Sequence, residues 1–168
     1  MIFKQIIFLA CFIFIFLINN CKAQVKLKAQ VGISYIEHFT TGIELSFKNK
    51  HKVSLIYGSD FFIKPQDFSS FMLQYESSLN RLKIKRFTPK IGVKGGYSIY
   101  TNKYYQWQLM ALVPYIGSNY SINDNFDLAF DLGITFSREI SMKRISYGEV
   151  GWYKEVLPEI KLAILYNL

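Results

Sequence analysis

Apolar and polar residues alternate along most of the chain, and the cleanest run is Phe126–Phe136, FDLAFDLGITF. Phe126, Leu128, Phe130, Leu132, Ile134 and Phe136 are apolar, while Asp127, Ala129, Asp131, Gly133 and Thr135 between them are small, polar or acidic. Successive side chains of a strand point to opposite faces, so this stretch predicts a strand with one apolar face and one acidic face. A run of about ten residues is long enough to cross a bilayer as a tilted strand. A lone strand would leave its backbone polar groups unpaired in lipid, so the pattern predicts a closed barrel.

The same alternation predicts strands over Val25–Tyr35, Thr41–Lys48, Lys52–Phe61, from Phe68 onward, and over Lys90–Tyr100, Gln106–Tyr120 and Val156–Leu168. Between them, Glu37–Thr40, Asn49-Lys50-His51, the Pro65-containing Phe62–Asp67, Thr88-Pro89, Thr101–Tyr104 and Asn123-Asp124-Asn125 read as connections. After Glu76 the apolar phase moves by one residue, to Leu82 and Ile84, which requires a bulge or a turn near Ser77–Asn80. Pro114 lies inside the sixth strand, where its missing N–H predicts a bulge. Arg138–Trp152 lacks clean alternation and is rich in charge, so it is expected to form an outer loop. The expected fold is all-β: an eight-stranded antiparallel up-and-down transmembrane β-barrel, its even strand number matching bacterial barrels.

The N-terminus follows a different plan. Lys4 precedes a continuous apolar run, Ile6–Ile18, and a short polar segment ends at Cys21-Lys22-Ala23. This is the three-part arrangement of a helical secretory signal peptide over residues 1–23, with Ala23 at the small-residue cleavage position and the barrel domain over 24–168. The run is shorter than the roughly 20 residues of a membrane-spanning helix. An uncleaved anchor and lipidation at Cys21 are the alternatives, the latter opposed by Asn20 where a small residue is needed. Both cysteines, Cys11 and Cys21, fall in this segment, so the expected mature chain has neither disulfide nor thiolate chemistry.

The net charge of +8 falls to +6 without Lys4 and Lys22. In a cytoplasmic protein such a charge points to nucleic acid. Behind an export signal it points instead to anionic lipid and lipopolysaccharide phosphates, or to solvated loop and lumen lysines, with no nucleic-acid partner. Aromatic residues make up 17% of the chain, and Phe61, Phe62, Phe68, Tyr104, Tyr105, Trp107, Trp152 and Tyr153 fall near predicted strand ends, where interfacial girdles belong.

The segment ending Ala23-Gln24, the eight amphipathic strands, the hairpin NDNFDLAFDLG and the terminal strand LPEIKLAILYNL together resemble the small outer-membrane β-barrel family of Bacteroidota-type bacteria, relatives of the OmpA/OmpX-like barrels. The resemblance is one of pattern and spans the expected mature chain. It departs from many family members at Tyr166-Asn167-Leu168, which closes on an aliphatic rather than an aromatic residue. It implies an outer-membrane location and insertion by the barrel-assembly machinery, and it implies no activity, because the family is functionally mixed.

If the apolar faces meet lipid, the polar faces meet in the lumen. That would bring Lys26, Lys28, Glu44, Lys48, Lys94, Asp127, Asp131, Glu159 and Lys161 together inside. Eight strands enclose a space that side chains just fill, and unpaired buried charges are costly, so a lumenal network of ion pairs is expected rather than a pore. The alternative is that several of these residues are solvated at the rims. His38 and His51 are expected in connections, and neither shares a strand face with a serine and a carboxylate as a lipid A-modifying site would require. No metal or cofactor motif is present in the sequence. The leading expectation is a monomeric, non-enzymatic barrel with a structural, adhesion or envelope-interaction role. Its rivals are an exported soluble barrel binding an apolar ligand and a lipid A-modifying barrel enzyme. A membrane barrel of this kind should run on unheated detergent gels at a different mobility from the boiled chain, and identical mobility would count against it.

Overall fold

A computed structural model describes residues 25–48, 50–60, 67–147 and 155–168. The expected signal peptide and residues Phe61, Phe62, Trp152 and Tyr153 lie outside the described residues. Eight strands follow in order: β1 Val25–Ser34, β2 His38–Phe47, β3 His51–Ser59, β4 Asp67–Ser78, β5 Phe87–Thr101, β6 Tyr105–Ser121, β7 Phe126–Arg144 and β8 Val156–Asn167. Each pairs antiparallel with its neighbour in sequence, and β1 pairs with β8 from Lys28↔Asn167 to Ser34↔Lys161, which closes the barrel. The up-and-down order and the strand count are those the alternation predicts.

The faces sort as the alternation requires. Ile33, Leu55, Leu73, Ile116, Leu132, Ile134, Ile160 and Ile164 are exposed on the outside, Ile116 by 64%. The interior is built largely of polar groups, among them Lys28, Glu44, Glu76, Lys94, Asp131 and Lys161. Ile56, Met72, Val113, Ala129, Ala163 and Leu165 supply the aliphatic part of the interior, beside the buried rings of Tyr105, Trp107 and Tyr115. This inverts the order of a water-soluble protein and is stable only where the exterior meets hydrocarbon. The outward residues of Phe126–Phe136 span about 34 Å along the strand, or about 25 Å along the axis at the usual tilt, which matches the apolar band of outer-membrane barrels.

Several details differ from the sequence expectations. The region Arg138–Trp152 is not all loop: Arg138–Arg144 continue β7, paired with Tyr105–Met110 of β6. These residues are exposed and project beyond the apolar band, so the strand is held by its neighbour and has no buried face to impose a pattern. Pro114 causes no bulge. The β6–β7 ladder skips Val113 and Pro114 while Leu112↔Phe136 and Tyr115↔Gly133 keep one register, and the irregularity lies at Gln108/Leu109. Thr88-Pro89 is strand, paired with Asn119 and Ser118, because Pro89 stands at the beginning of β5, where its carbonyl still accepts from Leu79 N at 2.8 Å.

The phase change after β4 is a turn through a single 3₁₀ turn, Asn80–Leu82, and not a bulge. His38 and His51 open β2 and β3 and do not sit in connections. His51 Nδ1 lies 2.7 Å from Tyr75 Oη, and His38 Nδ1 lies 3.8 Å from Asp60 Oδ1.

The expected girdle is also redistributed. Tyr105 and Trp107 face inward and are buried, because the odd positions of β6 point to the lumen. Their rings lie 5.5 Å apart, with Tyr100 5.4 Å from Trp107. They line the interior at the end of the barrel that carries the long β7–β8 connection, the outer end by the rule that the longer loops face outward. The end with the β2–β3 and β6–β7 turns is the inner one. Phe68 and Tyr104 are half-buried. The outward aromatics are others: Phe87 with Tyr120 and Phe126 with Tyr166 near the inner ends of the strands, and Tyr57 with Phe71 nearer the outer ends. Leu132→Arg on the lipid face should cost about 2–4 kcal/mol, measured by reversible guanidinium unfolding in lipid vesicles; a change within experimental error would mean that Leu132 does not meet hydrocarbon.

Candidate functional site

The interior charges form two clusters. The larger joins the adjacent strands β2, β3, β4 and β5 to β7, which lies beyond β6. Lys52 of β3 lies 3.5 Å from Glu44 of β2 and 2.8 Å from Glu76 of β4. Lys90 of β5 lies 3.0 Å from the other Glu76 oxygen and 2.9 Å from Asp131 of β7. Glu76 is 0% exposed and sits at the centre, accepting a further hydrogen bond from Tyr115 Oη of β6 at 3.2 Å. Lys90 Nζ lies 5.8 Å from the Tyr115 ring centroid. The chain Glu44–Lys52–Glu76–Lys90–Asp131 thus crosses the lumen, and every member touches an opposite charge.

Glycine makes this arrangement possible at two interior positions. A Cβ on Gly92 would run into the Tyr115 ring, and one on Gly117 would meet Asp131 Oδ1 and, at 3.1 Å, Lys90 Cε. The barrel wall is thinned where the largest interior groups stand.

The smaller cluster lies toward the outer end. Lys94 of β5 contacts Glu37 at 2.9 Å and Glu159 of β8 at 2.7 Å. Glu37 belongs to the β1–β2 connection, which Ser34 folds inward. Ser34 Oγ accepts from Glu37 N at 3.0 Å and from Ile36 N at 3.2 Å, and donates to Glu159 Oε1 at 2.8 Å. One short side chain therefore shapes the connection and fixes a carboxylate in the lumen. Beside this cluster the interior encloses a cavity of 40 Å³, lined in part by Met72, Val113 and Thr135.

Between the clusters sits Lys161 of β8, buried, with its Nζ 3.5 Å from both Gln30 Oε1 and Gln74 Oε1. No salt bridge reaches it among the described residues. Each cluster holds one more carboxylate than ammonium, so Lys161 stands between two regions of net negative charge and balances them at longer range. At the inner end Lys28 of β1 pairs with Asp127 of β7.

Of the residues the sequence brings forward, Lys28, Glu44, Lys94, Asp127, Asp131, Glu159 and Lys161 therefore lie on the interior face. Lys26 is exposed at the inner mouth. Lys48 does not join them. It stands in the β2–β3 turn, exposed, with a φ of 52° that takes it out of the strand alternation. Lys52, Glu76 and Lys90, the heart of the large cluster, were missed. All three keep the polar phase of their strands, but they adjoin segments read as turns or phase changes. Glu37 gave no periodic signal, because a connection delivers it. Among the described residues no group of three or more His, Cys, Asp and Glu side chains could hold a metal ion.

No family model and no curated protein matches the chain. Solved structures share its fold, among them the following three. Neisserial surface protein A superposes with a TM-score of 0.50 at 12% identity, covering 86% of this chain and 96% of its own. The N-terminal β-barrel domain of Pseudomonas aeruginosa OprF gives 0.53 at 14%, covering 88% and 100%. A major outer membrane protein from Thermus thermophilus gives 0.51 at 12%, covering 86% and 100%. At these identities the likeness is one of fold. Together with the apolar exterior band, it makes this chain an outer-membrane β-barrel.

Lys94→Met leaves Glu37 and Glu159 buried without their shared cation and should destabilise the barrel by about 3–5 kcal/mol. Adding Glu159→Gln should restore a measurable part of this, because one of the stranded charges is then gone. Denaturant unfolding of both single variants and the double would show strict additivity if the ion pairing were incidental.

Proposed function

We propose that this barrel is a non-conducting, monomeric outer-membrane protein with a structural, adhesion or envelope-interaction role, carried out by what it presents outside the membrane. The observation that carries the reading is the continuous ion network Glu44–Lys52–Glu76–Lys90–Asp131 across the lumen. Groups held this way present fixed opposite charges at short range, and a permeating ion would have to break several charge-assisted bonds in succession. The inward-folded Glu37 and the Tyr100–Tyr105–Trp107 cluster add material toward the outer end.

The outer extension of β5–β7 favours a role in presentation. Arg138, Lys143 and Arg144 stand exposed on this extension, cations of the kind that pair with lipopolysaccharide phosphates, and Arg144 stacks 4.3 Å from the Tyr147 ring centroid. In this reading lipid and lipopolysaccharide surround the barrel and the barrel-assembly machinery inserts it. No catalytic role is assigned: His38 and His51 sit at opposite ends of the barrel, one beside Asp60 and the other beside Tyr75.

Planar-bilayer recording tests the reading. The native barrel should show no steady open conductance, whereas Glu76→Ala with Lys90→Ala, which empties the centre of the network, should produce discrete openings. A steady conductance in the native protein would refute the sealed lumen.

A further inference from the structure

The inner mouth of the barrel holds a cavity of 480 Å³ that the ion network does not fill. Its lining is strongly basic: Lys26, Lys28, Lys52, Lys83 and Arg86 face it, against only Asp124 and Asp127. Two of the lysines are already engaged, Lys28 with Asp127 and Lys52 with Glu44 and Glu76. Lys26, Lys83 and Arg86 make no salt bridge among the described residues. The rest of the lining is rich in groups that donate hydrogen bonds, including Ser46, Ser78, Thr88 and Asn119.

Two of these cations, Lys83 and Arg86, stand on a built element. The β4–β5 connection, residues 79–86, is long for an inner turn, and it carries Arg81, Lys83, Lys85 and Arg86. It is shaped by the 3₁₀ turn, by the bridge between Ile84 and Phe87, and by Lys85 in the left-handed region at φ 52°. It is also tied to the next inner turn: Ser121 N donates to Arg86 O at 3.1 Å, and Arg86 Nη1 donates to Ile122 O at 3.2 Å. Arg86 is thus fixed at the rim with guanidinium N–H groups to spare.

We propose that this mouth is a binding site for a small soluble phosphorylated molecule on the periplasmic side. The class follows from the donors. A guanidinium, several ammonium groups and a ring of hydroxyl and amide donors suit the tetrahedral oxygens and multiple charge of a phosphate ester. The volume is that of a small-molecule site. Phosphate could also come from a lipid headgroup, but these side chains line the axis and the turns and not the lipid-facing wall, so a free solute is the occupant. The proposal is independent of whether the lumen conducts.

Inorganic pyrophosphate is the probe, titrated calorimetrically into the folded barrel in a non-ionic detergent. One equivalent should bind saturably, more weakly as salt is raised. Lys83→Gln with Arg86→Gln should lower the affinity by about tenfold or more. Both substitutions are on an exposed turn, and the gel shift between unheated and boiled samples verifies that the variant is folded. Absence of saturable binding, or an affinity within about twofold in the folded double variant, would overturn the site. The same titration in micelles doped with phosphatidylglycerol should match one in micelles doped with oleate to the same charge; loss of binding with phosphatidylglycerol alone would assign the site to a headgroup and overturn the soluble occupant.

Discussion

Closure between β1 and β8 is the constraint on which everything else depends. Seven antiparallel pairings would leave two strand edges, each a row of unpaired N–H and C=O groups, and hydrocarbon offers these no partner. The eighth pairing, Lys28↔Asn167 through Ser34↔Lys161, removes both edges within the apolar band. Once the backbone is satisfied in this way, the exterior side chains are free to be apolar without penalty. Ile33, Ile116, Ile134 and Ile164, which would be liabilities on a soluble protein, become the surface that holds the barrel in the membrane.

Closure also dictates the interior. A ring of eight strands encloses a space that side chains can just fill. Here they do so with charge. Isolated, any one of Glu44, Glu76, Lys90 or Lys94 would be untenable at such burial; paired across the lumen, each is neutralised at short range. The ion pairs run between strands far apart in sequence, such as Lys94 with Glu159 and Lys90 with Asp131, so they report on correct assembly of the whole ring. The same logic stops short of the inner mouth, where cations outnumber carboxylates and the space stays open.

Strand number, order and facing were legible because one physical rule, the alternation of side chains across a strand, acts on every membrane-crossing residue. Where that rule stops acting, legibility stopped too. Arg138–Arg144 lie beyond the band, so their strand character comes from pairing with β6 and leaves no trace in composition. Tyr105 and Trp107 are aromatic near a strand end, which suits a girdle, but their parity on β6 turns them inward. Glu37 reaches the lumen only because Ser34 folds a connection back, a tertiary event with a local hydroxyl as its sole hint. Lys48 fails for the opposite reason: its polar character fits the lumen, but its positive φ places it outside the alternation.

The inside-out order itself is open to a direct measurement. The described residues contain no cysteine, so nitroxide labels can be placed one at a time along Phe126–Phe136 in the barrel reconstituted into bilayers. Collision with dissolved oxygen and with an aqueous nickel chelate is then read by electron paramagnetic resonance. Phe126, Leu128, Phe130, Leu132, Ile134 and Phe136 positions should be oxygen-accessible and chelate-protected, with Ala129, Asp131, Gly133 and Thr135 shielded from oxygen. Chelate access along the apolar series, or the absence of a two-residue period, would contradict a barrel that turns its hydrocarbon face to lipid.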